Sequence, residues 1–185
     1  VYNTRIQHGY TDKTQDYLAG RTHMSPKTKK VDGIKYNITG ACKTVKGHRV
    51  YRILATKDFE AVDGRFVEDG EYGGWIESAL NLSQDGRCWV DDDAVVLGDG
   101  AVTDNALVAD EVLCKGVLQD NAIARGKACI EDGVICRDNV LVCDNALVKE
   151  YAIIKDNATV AEDAIVCKKA IIGNDTYYTS RFTKK

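Results

Sequence analysis

The chain has 185 residues, of which 44% are apolar and 29% charged, and its formal net charge at pH 7 is −3. This composition suits one folded domain, and the mildly negative balance excludes the basic surface with which proteins bind nucleic acids or anionic membranes. No apolar run is long enough to cross a bilayer and no secretory signal pattern opens the chain, so neither a membrane nor a nucleic acid is an expected partner.

Residues 1–35 are predicted to form an extended arm. They are rich in Thr, Lys and Gln and poor in aliphatic residues, so they cannot build a core of their own. A disordered tail is one interpretation of such a segment. We favour an arm that lies on a neighbouring subunit or on another structural protein, because polar segments without a core are ordered only when something else ties them down.

Residues 36–89 are predicted to form a small β cap and a lead-in to the next region. Alternating segments at 34–38 and 50–55 have the period of strands. Trp75 and Trp89 are expected to cover the open end of the tube that follows, because an exposed end is an unpaired strand edge.

Residues 90–173 carry a six-residue repeat. From Ala122 onward a small residue occurs at every sixth position, and most are followed two positions later by an aliphatic residue or cysteine; earlier steps vary between five and seven, and Thr103 and Gln119 interrupt the second column. A period of six fits a solenoid in which each hexad is a short strand and a corner. Residues i and i+2 of a strand point the same way, so both columns should line the interior. We predict an all-β, left-handed parallel β-helix, a triangular solenoid of about 4–5 coils spaced by about 4.8 Å. The small positions are Ala94, Ala101, Ala106, Val112, Val117, Ala122, Ala128, Val134, Val140, Ala146, Ala152, Ala158, Ala164 and Ala170.

Every third corner of the repeat has the same two residues. An Asp-Asn pair precedes the small residue, with the asparagines at Asn105, Asn121, Asn139 and Asn157. Residues one coil apart should stack, and stacked asparagine amides form hydrogen-bonded ladders. The spacing therefore predicts an asparagine ladder along one corner of the prism.

The last segment, residues 174–185, contains Tyr177, Tyr178 and Phe182 among polar residues. It leaves the six-residue pattern at the point where the tube should end. We expect it to form a cap on that end or to make contacts with other molecules.

The spacing resembles that of the hexapeptide-repeat, left-handed β-helix superfamily, whose pattern is aliphatic-x-x-x-small-x; residues 148–153, VKEYAI, fit it directly. A pentapeptide-repeat helix is the rival, favoured by the five-residue steps near 101–122. The preceding stretch, with YRILATKDF at 51–59, GGWIE at 73–77, NLSQ at 81–84 and CWV at 88–90, is similar to a group of uncharacterised bacterial and phage β-helix proteins. That second resemblance implies little about activity, since members of the group mostly lack an assigned one.

The first superfamily is rich in acyltransferases, in which a histidine on the coils is the general base, and it includes a carbonic anhydrase branch with metal-binding histidines. This chain has three histidines, His8, His23 and His48, and none lies within residues 90–172. The resemblance therefore implies the fold without either chemistry. We assign no catalytic residue and no cofactor, and the protein is expected not to be an enzyme.

Two weaker constellations have a plain structural interpretation. Asp91, Asp92 and Asp93 could hold a hard cation, but a solvated corner explains them as well. Cys42 and His48 could be a nucleophile and base, but nothing orients them. The seven cysteines are scattered without metal-ligand spacing, which indicates reduced thiols in a protein assembled in the cytoplasm. No metal site is assigned.

The residue between the two inward positions of each hexad should point outward, and it is almost always aliphatic. Strand propensity explains the β-branched residues but not the leucines. Contiguous apolar outer faces usually mark an interaction surface. The candidate interface residues are Leu107, Leu113, Leu118, Leu141, Leu147, Ile153 and Ile165.

These observations predict a non-catalytic structural or assembly protein that oligomerises through its outer faces. The superfamily habit implies a parallel homotrimer, and the phage-borne relatives imply a virion component such as a fibre, spike or decoration protein. Two alternatives stay open: an acyltransferase-like hexapeptide-repeat enzyme, and an intracellular protein that binds a partner to inhibit or recruit it.

Overall fold

The described part of the chain is a β-solenoid. The computed structural model describes residues 33–179, so nearly all of the predicted arm and residues 180–185 of the predicted C-terminal cap lie outside the described residues. Within residues 33–179 the only helical element is a 3-10 helix at Ala79–Asn81. The all-β class and the stacked parallel coils predicted from the sequence are confirmed, and the left-handed sense of the coil stays a prediction.

Two antiparallel hairpins precede the solenoid. The longer hairpin joins β1 (Tyr36–Val45) to β2 (His48–Ala55), and the shorter one joins β3 (Phe59–Glu60) to β4 (Phe66–Val67). Strand β2 also pairs antiparallel with β5 (Tyr72–Ile76), which in turn pairs in parallel with a strand of the next coil. Strand β5 is therefore the junction between the N-terminal segment and the coils.

Strands one coil apart pair in parallel and build three faces. After β5, the first face contains β7 (Val95–Val96), β10 (Leu113–Cys114), β13 (Cys129–Ile130), β16 (Leu147–Val148) and β19 (Ile165–Val166). The second face contains β8 (Ala101–Val102), β11 (Val117–Leu118), β14 (Ile135–Cys136), β17 (Ile153–Ile154) and β20 (Ile171–Ile172). The third face contains β6 (Trp89–Val90), β9 (Leu107–Val108), β12 (Ile123–Ala124), β15 (Leu141–Val142), β18 (Thr159–Val160) and β21 (Tyr177–Tyr178).

The first coil begins before residue 90, where the solenoid was predicted to start. Trp75 pairs in parallel with Val95, Leu82 bridges to Val102, and Trp89 pairs with Leu107. The lead-in is thus itself a coil, and the solenoid has about six turns in place of the predicted 4–5. At the other end β21 still follows the repeat, so residues 174–179 continue the coil.

The interior is lined by the two predicted columns. From Ala122 to Val166, every small residue and the residue two positions later are buried; Ala170 and Ile172, in the last coil, are half-buried. Burying an apolar side chain stabilises the fold by about 1.5–3 kcal/mol for residues of the size of Val or Ile. The repeated hexad is therefore the source of the core.

In two hexads, those of strands β8 and β11, the inward side chains are one residue later than predicted. Leu118 is completely buried and pairs with Val102 and Cys136, which are also buried, whereas Ala101 and Val117 of the same strands are half-buried and lie on the outside. The outward orientation predicted for Leu118 is wrong, and its side chain belongs to the core.

Glycine explains this shift of register. Gly100 and Gly116 occupy the inward small positions, and a Cβ on Gly116 would lie 2.7 Å from Cγ2 of Ile130. When Gly100 and Gly116 replace Ala101 and Val117 as the inward small residues, every spacing from Ala94 to Ala170 is six residues except one. The exception is the four-residue spacing from Val112 to Gly116. One corner is thus shorter than all later ones.

Candidate assembly surface

The outward row of the first face is partly covered by the longer N-terminal hairpin. Val50 of β2 is fully buried and forms an outer cluster with Val95 and Leu97, against which Val45 and Leu113 pack. The row continues past this cluster with Cys129, Leu147 and Ile165. Leu113 therefore has an internal partner, whereas Leu147 is half-buried and Ile165 is 49% exposed.

The outward row of the third face begins beneath the shorter hairpin. Trp89 is fully buried, with its ring edge-on to Tyr36 at 6.4 Å and to Phe59 at 5.3 Å between centroids. Leu107, its neighbour in the ladder, is 1% exposed. Asp63 of the hairpin is 3.3 Å from the guanidinium of Arg125 farther along the chain.

Leu107 therefore packs inside the protomer and is not free for a partner, contrary to the interface prediction. Leu141, two coils farther along the same row, is half-buried. Beyond it Thr159 breaks the apolar row and Tyr177 is 59% exposed.

The outward row of the second face is aliphatic from the first rung to the last. The paired residues are Ala101, Val117, Ile135, Ile153 and Ile171. The first four are half-buried, and Ile171 is 63% exposed. Of the predicted interface residues, only Ile153 lies here, and the row runs from the second coil, at Ala101, to the last, at Ile171.

Charged side chains border this row and have partners on their own chain. Arg137 Nε is 3.9 Å from the carboxylate of Asp138, and Lys155 Nζ is 3.2 Å from that of Asp156. Both carboxylates lie on the corner between the second and third faces. The second face thus has an apolar centre and a polar rim, as protein interfaces do.

The asparagines of that corner form one chain of hydrogen bonds. The Nδ2 of each residue donates to the side-chain oxygen of the next: Asn105 to Asn121 at 3.0 Å, Asn121 to Asn139 at 3.0 Å, and Asn139 to Asn157 at 2.9 Å. Asn157 continues the chain to Asp175 at 2.7 Å. Each link holds two adjacent coils in register.

A second ladder runs through the aspartates that precede these asparagines. The backbone N–H of Asp120 donates to the carboxylate of Asp104 at 3.2 Å, and Asp138 and Asp156 repeat the contact at 3.0 Å. All four have a positive φ, between 55° and 62°. Asp tolerates this left-handed conformation better than most residues, and here its carboxylate also satisfies the amide of the next corner.

The two tryptophans do not cover the open end of the tube as predicted. Trp89 alternates with inward Cys88 and Val90, and Trp75 pairs with outward Val95, so both belong to outer rows. Trp75 is half-buried under the cations of Lys43 and Arg52, 4.3 Å and 5.1 Å from its ring. The tryptophans anchor the N-terminal segment to the outside of the first coil.

His48 and Cys42, considered above as a base and a nucleophile, each contact a different side chain. His48 Nδ1 lies 3.0 Å from a carboxylate oxygen of Glu77. The hydrogen bond from the backbone N–H of Gly98, together with His48, lowers the pKa of the Glu77 carboxyl. Cys42 Sγ is instead 3.1 Å from Nη2 of Arg49, so the hypothetical nucleophile and base have different partners.

Two of the three aspartates at 91–93 have basic side chains as partners. Asp91 is 2.8 Å from Nη1 of Arg65, and Asp93 is 3.9 Å from Nζ of Lys43. Burial raises the pKa of Asp91, an effect that Arg65 opposes. Among residues 33–179 no group of three or more His, Cys, Asp or Glu side chains could hold a metal ion.

A cavity of about 480 Å³ lies along the first face and its corner with the second. It adjoins the shortened corner at Lys115 and has walls of mixed charge, without one sign that would select a ligand. Its lining residues are Lys46, Leu113, Lys115, Cys129, Glu131, Asp132, Glu150 and Tyr151.

Sequence reasoning missed one buried polar contact at the N-terminal end. Lys35 is fully buried, and its Nζ lies 3.0 Å from Sγ of Cys88 in the first coil. Tyr36 beside it donates its hydroxyl to the carbonyl of Leu82 at 2.6 Å. No pattern marked Lys35, because an alternating strand would place a lysine outward.

No protein-family model matches the chain, and no curated protein matches it either. No helix within residues 33–179 is long and apolar enough to span a membrane.

Proposed function

We propose that the protein is a non-catalytic structural protein that assembles with copies of itself through its second face. The observation that carries the proposal is the aliphatic row from Ala101 to Ile171, in register over five rungs and half-buried or exposed throughout. The two hairpins lie against the other two faces, so this row is the longest apolar strip left at the surface of the described solenoid. Proteins usually bury a surface of that kind.

A parallel homotrimer suits the row. The rungs of identical coils repeat at about 4.8 Å, so three rows around a common axis meet in register. Arg137 and Lys155 pair with aspartates of their own chain, so identical faces approach without strong charge repulsion. The ladders at the adjoining corner hold successive rungs of the face in register.

We further propose that this assembly is a component of a phage particle. The lead-in resembles that of phage β-helix proteins, and a rigid rod suits a fibre, spike or decoration protein. Residues 1–35 would attach the assembly to other structural proteins, with assembly taking place in the cytoplasm. Mass spectrometry of particles purified from a lysate of the encoding phage is expected to detect the chain; particles that lack it contradict this setting.

The assembly is tested by changing Ile153 to Asp. We expect light scattering after size exclusion to give a trimer mass for the natural chain and a monomer mass for the variant. The carboxylate would have to be desolvated in the middle of the apolar row, at a cost of several kcal/mol per copy. Ile153 points outward, so the monomer should still fold, which circular dichroism checks.

Thr159→Asp is the matched control, since Thr159 is the outward residue of the next hexad, on the third face. It introduces the same charge and should leave the trimer intact. A natural chain that stays monomeric at tens of micromolar contradicts the proposal. So does a Thr159→Asp variant that dissociates while Ile153→Asp does not.

A transferase-type enzyme is the second candidate, favoured by the contact between His48 and Glu77. A carboxylate on Nδ1 would orient the ring and leave Nε2 free for a substrate, as in general-base catalysis. Titration with acetyl-coenzyme A, followed calorimetrically, tests it. Saturable binding to the natural chain, with turnover lost in His48→Ala, would favour the enzyme over the scaffold.

A further inference from the structure

The N-terminal end of the solenoid contains a fully buried lysine. Lys35 directly precedes β1 and is fully buried. Its backbone N–H donates to Oε1 of Gln84 at 2.8 Å, which fixes the start of the strand against the first coil. Its side chain then runs inward, and Nζ donates to the carbonyl of Asp85 at 3.1 Å and lies 3.0 Å from Sγ of Cys88.

The surroundings of this lysine differ from those of an ordinary buried ion pair. Buried lysines are usually neutralised by a carboxylate, whereas Nζ has a carbonyl oxygen and a sulfur as hydrogen-bond partners, and the Asp85 carboxylate acts on it only as a weaker charge. Burial lowers the pKa of the Lys35 amine, which increases the fraction of neutral, nucleophilic amine. Burial raises the pKa of the Cys88 thiol, and Lys35 opposes that effect.

We propose that Lys35 and Cys88 form an oxidation site at which a peroxide converts their contact into a covalent nitrogen–sulfur bond. Hydrogen peroxide first oxidises the thiol to a sulfenic acid, releasing one water. The lysine nitrogen then attacks the sulfur, an N–S bond forms, the S–O bond breaks, and the hydroxide leaves with an amine proton as a second water. Overall, one thiol, one amine and one hydrogen peroxide give one sulfenamide and two waters.

Within residues 33–179, the recorded side-chain hydrogen bond between a lysine amine and a cysteine sulfur is the one that joins Lys35 and Cys88. Cys114 is also inward, but its Sγ is 3.3 Å from the carbonyl of Gly116, which is not a nucleophile. Cys42 is exposed, but its neighbour is the guanidinium of Arg49, which stays protonated and is a poor nucleophile. Cys88 sits in the first coil beside the exposed residues 84–87, so local opening of one corner admits the small oxidant.

The bond would tie the start of β1 to the first coil. The two residues are 53 positions apart, and closing a loop of that length removes much of the chain entropy of the unfolded state. Oxidation would therefore raise the stability of the end where the hairpins meet the solenoid, independently of whether the second face assembles.

The test treats the purified full-length chain with hydrogen peroxide and follows it by mass spectrometry. We expect a species lighter by two hydrogen atoms, whose digest contains Lys35 and Cys88 in one linked peptide. Dithiothreitol should restore the separate peptides, and the linked form should unfold at a temperature several degrees higher.

Two variants complete the experiment, each checked for folding by circular dichroism. Lys35→Met keeps the length of the side chain without its amine, and Cys88→Ala removes the sulfur; neither should give the linked peptide. Cys42 reports exposure to oxidant in every sample. The proposal is overturned if Cys42 is fully oxidised in the natural chain while Cys88 remains a free thiol, or becomes a sulfinic or sulfonic acid without a link to Lys35.

Discussion

At the scale of single residues, some inward positions of the tube have too little space for any side chain, even the methyl group of alanine. Gly116 lies at an inward small position, and a Cβ there would be 2.7 Å from Cγ2 of Ile130 and 2.8 Å from the carbonyl oxygen of Val134. The backbone oxygen cannot move without disturbing the ladder of the next coil. Glycine is therefore required by packing at this position, although its neighbours in the column are alanine and valine.

Gly116→Ala should lower the free energy of unfolding by about 1–3 kcal/mol, the range for overpacking a core. Urea unfolding followed by circular dichroism measures it. Gly40→Ala is the matched control, because a Cβ on Gly40 would meet nothing within 4 Å. An equal loss of stability in both variants would show that the inward register of Gly116 is wrong.

At the scale of elements, each N-terminal hairpin packs against the outward row of one face. The longer hairpin packs Val50 against Val95 and Leu97, and the shorter one contributes Phe59, which packs on Trp89. These contacts join residues far apart in sequence. A leucine in an outer row thus contributes most to folding where a hairpin lies over it.

Leu107→Ala should cost about 2–5 kcal/mol of unfolding free energy, as for a leucine in a core. Leu141→Ala, in the same row but only half-buried, should cost about 1 kcal/mol. Thermal and urea unfolding of the two variants give the comparison. Equal costs would contradict the covering of Leu107 by the N-terminal segment.

Features that repeat along the chain could be predicted from the sequence, whereas features that depend on long-range packing could not. The hexads after Ala122 were predictable because one small and one larger apolar residue alternate with polar corners, and the asparagine corners were predictable because they recur with the coil. Leu118 was assigned outward because Val117 and Leu118 are both apolar and the shortened corner hid the step to Gly116. The burial of Leu107 and Lys35 depends on long-range packing of the hairpins, for which local periodicity carries no signal.

At the scale of the whole described solenoid, the three faces are unequal. The first and third faces begin beneath hairpins, whereas the second face keeps one aliphatic row from Ala101 to Ile171. The ladders at the adjoining corner join successive coils of this face by hydrogen bonds. Those features together make the second face the surface on which self-assembly is expected.

The most direct test of assembly through the second face places a photo-crosslinking residue, p-benzoylphenylalanine, at position 135 in the centre of the row. A parallel homotrimer brings Ile135 of each copy next to the same row of its neighbours. Irradiation is therefore expected to give covalent dimers and trimers linked to Val117, Ile135 or Ile153 of the adjoining copy. Links that map to the first or third face, or a product that stays entirely monomeric at tens of micromolar, would contradict the account.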